Sequence, residues 1–331
     1  MDRCSACILP DTFPGITFDA MGVCNYCHQY AANRTLLAGQ RVEMRERFGT
    51  ILDEIRGHNP YDCMMAWNGS RNSTYTLGML RQRYNLNVLT FTFDNGFIPP
   101  QTRRNIEKVS ARLGVDHIMV RPRFDLLQQV FNGIARGLTV GSEKEPARPL
   151  SICTACMSLV RGIAMRTALE KEIPMIIYGW SPGQSPSMLS VYPRTPEMAS
   201  AIIDALSSPL RKLVGDRVRA YFPESEQLRH CTLPYDVSPL AFMPYDEKRI
   251  LDSITEWGWE QPEGVGPHST SCPLSIFANI VHEKQWGYSP YEIELANMVR
   301  EGYLTRDEAL KRVHAYAQDA RIEQVRAKLN G

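Results

Sequence analysis

Six of the nine cysteines in this 331-residue chain stand in Cys-x-x-Cys pairs. Cys4/Cys7 and Cys24/Cys27 bracket sixteen residues that include Pro10, Pro14, Gly15 and Gly22, too little apolar material for a core of their own. A tight turn of this kind puts two sulfurs on one side, and two such turns at this separation match the four-thiolate zinc-ribbon pattern. With sulfur in all four positions no coordination site stays open, so the expected zinc is structural. The plain alternative is four free buried thiols. A third pair, Cys153 and Cys156, opens a predicted helix, and Cys272 lies far downstream. Cys63, in an apolar run, reads as core; Cys231, beside His230, has no partner at ligand spacing.

Asn68-Gly69-Ser70-Arg71-Asn72-Ser73-Thr74 follows an apolar run and opens a helical pattern. Small residues there expose main-chain N–H groups, and a helix N-terminus favours anions, which gives the generic reading of a phosphate cradle. No Gly-Lys-Ser/Thr follows, so it is not a Walker loop; an ordinary strand-to-helix turn with an N-cap is the competing reading. Asp94, in Asp94-Asn95-Gly96, is either a working carboxylate at a strand end or a solvated turn residue. Arg103, Arg104, Lys108 and Arg112 on one predicted helix, with Arg121 and Arg123 nearby, form a basic region for a pyrophosphate or RNA phosphate, or else a solvated face. Gly179-Trp180-Ser181-Pro182-Gly183-Gln184 offers Ser181 and Gln184 as polar contacts.

These residues need a frame. Apolar runs at 63–67, 87–93, 115–120 and 174–180 alternate with helical patterns at 76–84, 101–113, 124–136 and 154–171. Repeated strand–helix units predict a parallel sheet with helices on both faces, and ligands in such sheets sit beyond the carboxyl ends of the strands. A helix is expected over 41–57, a loop over 181–196, and a mainly helical region from 216 to 331 with helices at 245–257, 273–286, 290–301 and 305–327. The organisation expected is a ribbon at 1–40 with a helix running to about 58, a nucleotide-binding domain at 59–215, and the helical remainder. Trp257, Trp259, Trp286 and Tyr288 read as packing residues within it.

Composition narrows the class. A hydrophobic share of 44% and a charged share of 22% fit a globular protein. With 37 basic and 36 acidic side chains, bulk charge does not recruit nucleic acid or membrane. The sequence shows no signal-peptide pattern and no apolar run approaching the roughly 20 residues that span a bilayer. Cysteine usage then predicts a reducing, cytoplasmic setting and no membrane partner. The sequons at Asn33, Asn68 and Asn72 are read as accidents of composition.

Residues 68–73 resemble the PP-loop of the ATP pyrophosphatases, Ser-Gly-Gly-x-Asp-Ser, and Phe91-Thr-Phe-Asp-Asn-Gly-Phe97 resembles that family's second strand. The chain is similar to zinc-ribbon N-acetyl sugar amidotransferase-like proteins of the lipopolysaccharide-biosynthesis type. The likeness rests on Cys4–Cys27, including Pro14-Gly15-Ile16-Thr17-Phe18-Asp19, and on Trp286-Gly-Tyr288, Arg300-Glu-Gly302 and Leu304-Thr-Arg-Asp-Glu-Ala309. It implies an α/β fold of the adenine nucleotide alpha-hydrolase-like (HUP) type. ATP with Mg would bind at Asn68, Gly69, Ser70, Arg71, Asn72 and Ser73, flanked by Phe93, Gly179, Ser181 and Gln184, with Asp94 and Ser73 at the chemistry. The implied reaction adenylates a carbonyl or amide oxygen of a small-molecule or nucleotide-sugar acceptor, RNA being the less favoured one. Nitrogen or sulfur then displaces AMP, supplied by a partner protein. Against the family loop, Asn68, Ser70 and Asn72 replace Ser, Gly and Asp; Asn72 cannot neutralise Mg as a carboxylate would. A catalytically degenerate nucleotide-binding or scaffold subunit is the rival reading.

Cys153, Cys156 and Cys272 are similar to the cysteines of PP-loop tRNA thiolases that hold a 4Fe–4S cluster with one iron open. Thiolates suit that cluster. A second zinc, completed by His268 or His282, and simple packing remain alternatives.

Overall fold

The computed structural model describes residues 2–138, 150–185, 190–263, 272–314 and 321–330. His268, a candidate ligand, lies outside the described residues. Six strands form one sheet: β1 (Cys63–Ala66), β2 (Val88–Phe93), β3 (Asp116–Val120), β4 (Met175–Tyr178), β5 (Val191–Tyr192) and β6 (Tyr235–Val237), in the order β3-β2-β1-β4-β6-β5. All neighbours pair in parallel except β5, which runs antiparallel to β6 at the edge. The expected α/β sheet is therefore present.

Its central strands are buried on both faces, which is why β1 and β4 read as continuous apolar runs rather than alternating ones. On one face Met65, Val88, Met175 and Ile177 pack with α1 (Asn25–Ile55), α2 (Arg71–Gly78), α3 (Pro100–Leu113) and α8 (Glu247–Glu256). On the other, Met64, Leu89, Phe91 and Ile176 meet α4 (Phe124–Ala135), α5 (Ile152–Glu170), α6 (Pro196–Val214), α9 (Leu274–Trp286) and α12 (Arg321–Asn330). Phe131 and Phe48 are almost fully buried in these two layers. Truncating either to alanine costs about 3–5 kcal/mol.

Several expectations are corrected. The helix predicted from 41 begins at Asn25, because residues 25–40 are largely exposed and lack the apolar stripe used to find it. The predicted 76–84 helix starts instead at Arg71, and Met79–Arg83 continues it as a π-helical turn. Part of the expected loop at 181–196 is β5, and α6 follows it. The region read as helical from 216 contributes β6, whose three residues are too few to show a period. No apolar segment of bilayer length was expected, yet α5 is long and apolar enough by length and composition; just over half of it is buried inside the fold. The described residues also form α7 (Ser225–His230), α10 (Glu292–Arg300) and α11 (Arg306–His314).

The N-terminal turns sit against the end of the chain. Cys4, Cys7, Ile8, Leu9 and Cys24 share an apolar cluster with Leu295, Ala296, Met298, Leu304 and Ala309. The Arg306 guanidinium donates to the carbonyls of Cys4 (3.1 Å) and Cys7 (2.8 Å), and Arg3 pairs with Glu292 at 2.8 Å.

Candidate functional site

The chain runs β1 to β2 to β3 in one direction across the sheet and then returns to place β4 on the other side of β1. That reversal opens a crevice beyond the carboxyl ends of β1 and β4, the place where open α/β sheets bind ligands. Residues 68–73 leave β1 there, and 179–184 leave β4.

Gly69 holds φ at +70°, and a Cβ on it would approach Thr102 to 2.8 Å, so glycine is required on both counts. Its carbonyl accepts from the Trp259 indole N–H at 2.9 Å, which ties the loop to the segment after α8. Asn68 Oδ1 accepts from the Ser70 N–H (3.1 Å) and the Ser73 hydroxyl (2.7 Å), and the two serine hydroxyls lie 3.0 Å apart. Ser70 is the N-cap of α2, yet its side chain makes no capping hydrogen bond. The first-turn N–H groups of such a helix are the natural docking point for an anion. Asn72 Oδ1 lies 3.2 Å from the Tyr245 hydroxyl. Burial first of all pushes the Tyr245 phenol above its ordinary range, so it stays a neutral donor.

Across the crevice, Gly179 abuts α2, and Ser181 is buried. The Ser181 N–H donates to Gln184 Oε1 at 3.0 Å and its hydroxyl to Glu294 Oε1 at 2.6 Å. Asn297 Nδ2 donates to the Gly183 carbonyl at 2.9 Å, so the 181–184 turn docks on α10. Desolvation pushes the Glu294 carboxyl up to about 7, against the lowering effect of the Ser181 and Gln184 hydrogen bonds. Glu294, Tyr245 and Trp259 had no local signal; only the tertiary fold delivers them.

Asp94 is completely buried at the end of β2. One oxygen accepts from Arg103 and Arg121, each at 2.7 Å, and the other from the Gly96 N–H at 2.9 Å. Burial by itself would raise this carboxyl, but these donors outweigh it and hold it below the usual range. Asp94 is therefore not a solvated turn residue, and the carboxylate read as a working group at the strand end is already engaged. Phe93 is half-buried beside it. Of the other basic candidates, Lys108 pairs with Glu260, Arg123 with Asp125, and Arg104 meets Gln101.

The four N-terminal sulfurs lie within 4.8 Å of one another, with Cys4–Cys27 and Cys7–Cys24 both at 3.8 Å. A tetrahedron with metal–sulfur bonds of about 2.3 Å has edges of about 3.8 Å, so the donor set fits a single ion. Arg300 Nη2 approaches Cys7 Sγ at 3.6 Å, a cation suited to a multiply charged thiolate site.

Cys156 near the start of α5 and Cys272 before α9 meet at Asn95, whose Nδ2 lies 3.3 Å from Cys272 Sγ and 3.9 Å from Cys156 Sγ, and Cys153 on the first turn of α5 interacts electrostatically with Cys272. Burial pushes the Cys153 thiol up to about 12 and raises Cys156 and Cys272 as well. Among the described residues only the N-terminal group brings three or more ligand atoms within 4.8 Å of each other. His282 is buried with its ring against Tyr288, and neither ring nitrogen has a hydrogen-bond partner among the described residues. Cys63 is core and Cys231 is exposed.

No protein-family model matches the sequence. An uncharacterized protein, MJ1599, of Methanocaldococcus jannaschii is 21% identical over 313 residues, covering 93% of this chain and 92% of that one. Among solved structures, the U34-tRNA thiolase NcsA from Methanococcus maripaludis with its 4Fe–4S cluster has a TM-score of 0.35 at 14% identity, covering 97% of this chain and 92% of that one. An NMN synthetase from Francisella tularensis has a TM-score of 0.40 at 10% identity, covering 86% and 95%. An NAD+ synthetase from Burkholderia pseudomallei scores 0.34 at 13% identity, covering 91% and 94%.

Proposed function

We propose that the protein is an ATP-dependent PP-loop transferase of the adenine nucleotide alpha-hydrolase type. ATP binds with its phosphates against Asn68–Ser73, and the α-phosphate activates a carbonyl or amide oxygen of the acceptor. A nitrogen or sulfur nucleophile then displaces AMP. An amide oxygen is a poor leaving group and an adenylate a good one; positioning and charge stabilisation are what the protein supplies. The single supporting observation is the placement of an uncapped helix N-terminus, with its glycine at positive φ, in the crevice between β1 and β4.

In this reading Ser73 and the α2 N–H groups grip phosphate, Phe93 flanks the base, and Ser181 and Gln184 line the acceptor side. Asp94 acts by fixing Arg103 and Arg121 at the strand ends. Zinc occupies Cys4, Cys7, Cys24 and Cys27. Cys153, Cys156 and Cys272 hold a 4Fe–4S cluster; their wider setting suits it better than a second single ion. When bound, such a cluster with an open iron supplies sulfur-transfer chemistry. The acceptor is a small molecule or nucleotide sugar, with a nitrogen- or sulfur-supplying partner protein, in the cytoplasm.

A second reading, a nucleotide-binding or scaffold subunit without turnover, is favoured by Asn72, which meets Tyr245 with no charge, and by the engagement of Asp94. Incubation with Mg·ATP and candidate acceptors decides between them. Release of AMP and pyrophosphate supports the transferase; nucleotide binding with no release across acceptors and donors supports the scaffold.

A further inference from the structure

We propose that Arg103 and Arg121, held together by Asp94 beyond the ends of β2 and β3, form a binding site for a phosphate group. Arg103 stands near the head of α3 and Arg121 directly follows β3. Arg103 Nη2 and Arg121 Nε each lie 2.7 Å from the same Asp94 oxygen, as does Arg121 Nη2. The other Asp94 oxygen is taken by the Gly96 N–H, so the buried carboxylate has no oxygen left over. The arginines themselves are open to solvent, with side chains 35% and 62% exposed. A ligand therefore reaches them from the surface, with no cavity to open.

Two permanent cations share one carboxylate here, and like charges brought this close repel. Among the described residues neither arginine pairs with a second carboxylate. Lys328 brings a third cation to the same turn by donating to the Gly96 carbonyl. Each guanidinium carries five N–H donors in a planar fork. Arg103 directs Nη2 to Asp94 and Nη1 to the Met119 sulfur at 3.5 Å; its Nε, like Arg121 Nη1, has no hydrogen bond among the described residues. Nitrogens that converge on one carboxylate oxygen are close enough to converge on one phosphate. A phosphate monoester offers three oxygens and more than one negative charge, enough for both forks, whereas the two oxygens of a carboxylate match one. The neighbouring basic residues are otherwise engaged: Lys108 and Arg123 have carboxylates of their own, and Arg104 meets Gln101. At the head of α3, Thr102 abuts Gly69 while Arg103 reaches Asp94. The site is thus adjacent to the loop at 68–73 but shares no residue with it, and it does not rest on ATP binding there. Its phosphate comes either from a nucleotide held at that loop or from a separate phosphate-bearing molecule.

Calorimetric titration of the full-length protein with sodium phosphate, at ionic strength held constant with sodium chloride, tests this. The expected result is saturable binding whose dissociation constant rises about tenfold or more in Arg121→Gln and in Arg103→Gln. Arg121 is the more exposed of the two, so its variant keeps the measurement open should Arg103→Gln fail to fold. Arg123→Gln removes a nearby charge that already pairs with Asp125, and should leave the affinity unchanged. Absence of saturable binding, unchanged affinity in the Arg121 variant, or an equal loss in Arg123→Gln overturns the assignment. Repeating the titration on protein saturated with α,β-methylene-ATP separates the two sources. Abolished phosphate binding points to the phosphates of the nucleotide itself, and retained binding to a separate molecule. Failure of that analogue to bind counts against the loop at 68–73 alone, because the arginine site stands or falls on the first titration.

Discussion

Gly179 lies directly against Ser73: a Cβ placed on Gly179 would come within 2.4 Å of the Ser73 Cα. The obstacle is main chain, which cannot swing aside as a long side chain would. The end of β4 and the first turn of α2 are held at this distance only because one partner has no side chain. Gly179→Ala is expected to cost about 1–3 kcal/mol through this overpacking. Denaturant unfolding measures it, and an unchanged midpoint would show that the two segments part easily.

Asn72→Asp restores a carboxylate without changing side-chain shape, and Tyr245 can still donate to it. If nucleotide chemistry runs at this loop, the variant should release AMP and pyrophosphate about tenfold faster or more with Mg·ATP, since a charged metal partner strengthens the site. Equal rates in the two proteins would mean that residue 72 does not face the metal.

Asp94 titrates below its ordinary range, so its contribution is fully present above the unfolded-state value of about 4 and fades as pH falls through the depressed one. Asp94→Asn should lower stability by about 1–3 kcal/mol at neutral pH, a modest figure because both arginines reach solvent. Melting curves between pH 2 and 7 should show the acid-side loss shrinking in the variant.

Glu294 behaves with the opposite sign. Its carboxyl is raised to about 7, so the stabilising neutral form is fully present below the unfolded-state value and is lost as pH climbs toward 7 and beyond. Replacing it with glutamine should flatten the decline in melting temperature between pH 5 and 8. A variant that declines as steeply as the parent would assign that slope to another group.

Metal analysis should find about one zinc per chain at Cys4, Cys7, Cys24 and Cys27, and anaerobic preparations should carry iron and acid-labile sulfide at the second cysteine group. Chelation of the zinc is expected to speed amide exchange in residues 292–309 together with 2–27, because the two segments share a core. Faster exchange confined to 2–27 would contradict that coupling.

The succession of strands and helices from Cys63 to Tyr178 was legible because each strand is an apolar run closed by turn residues. β5 and β6, two and three residues long, carry no period, and the exposed first half of α1 carries no stripe. The crevice loop at Asn68–Ser73 was visible from its small residues. Its tertiary supports were not: Trp259 reaches Gly69 across 190 positions, and Glu294 reaches Ser181 across 113. Nor does sequence show that Asp94 is neutralised, since Arg103 and Arg121 are ordinary surface-helix and loop arginines until the sheet brings them to one carboxylate.

The packing of Cys4–Cys24 against Leu295–Ala309 has a bearing on synthesis. The four thiols leave the ribosome long before α10 and α11, the helices that cover them. For most of translation these sulfurs stand without their lid, open to oxidants or to a passing ion. Early metal capture would protect them and pre-shape a seat, so the covering helices dock on a finished surface rather than search for one.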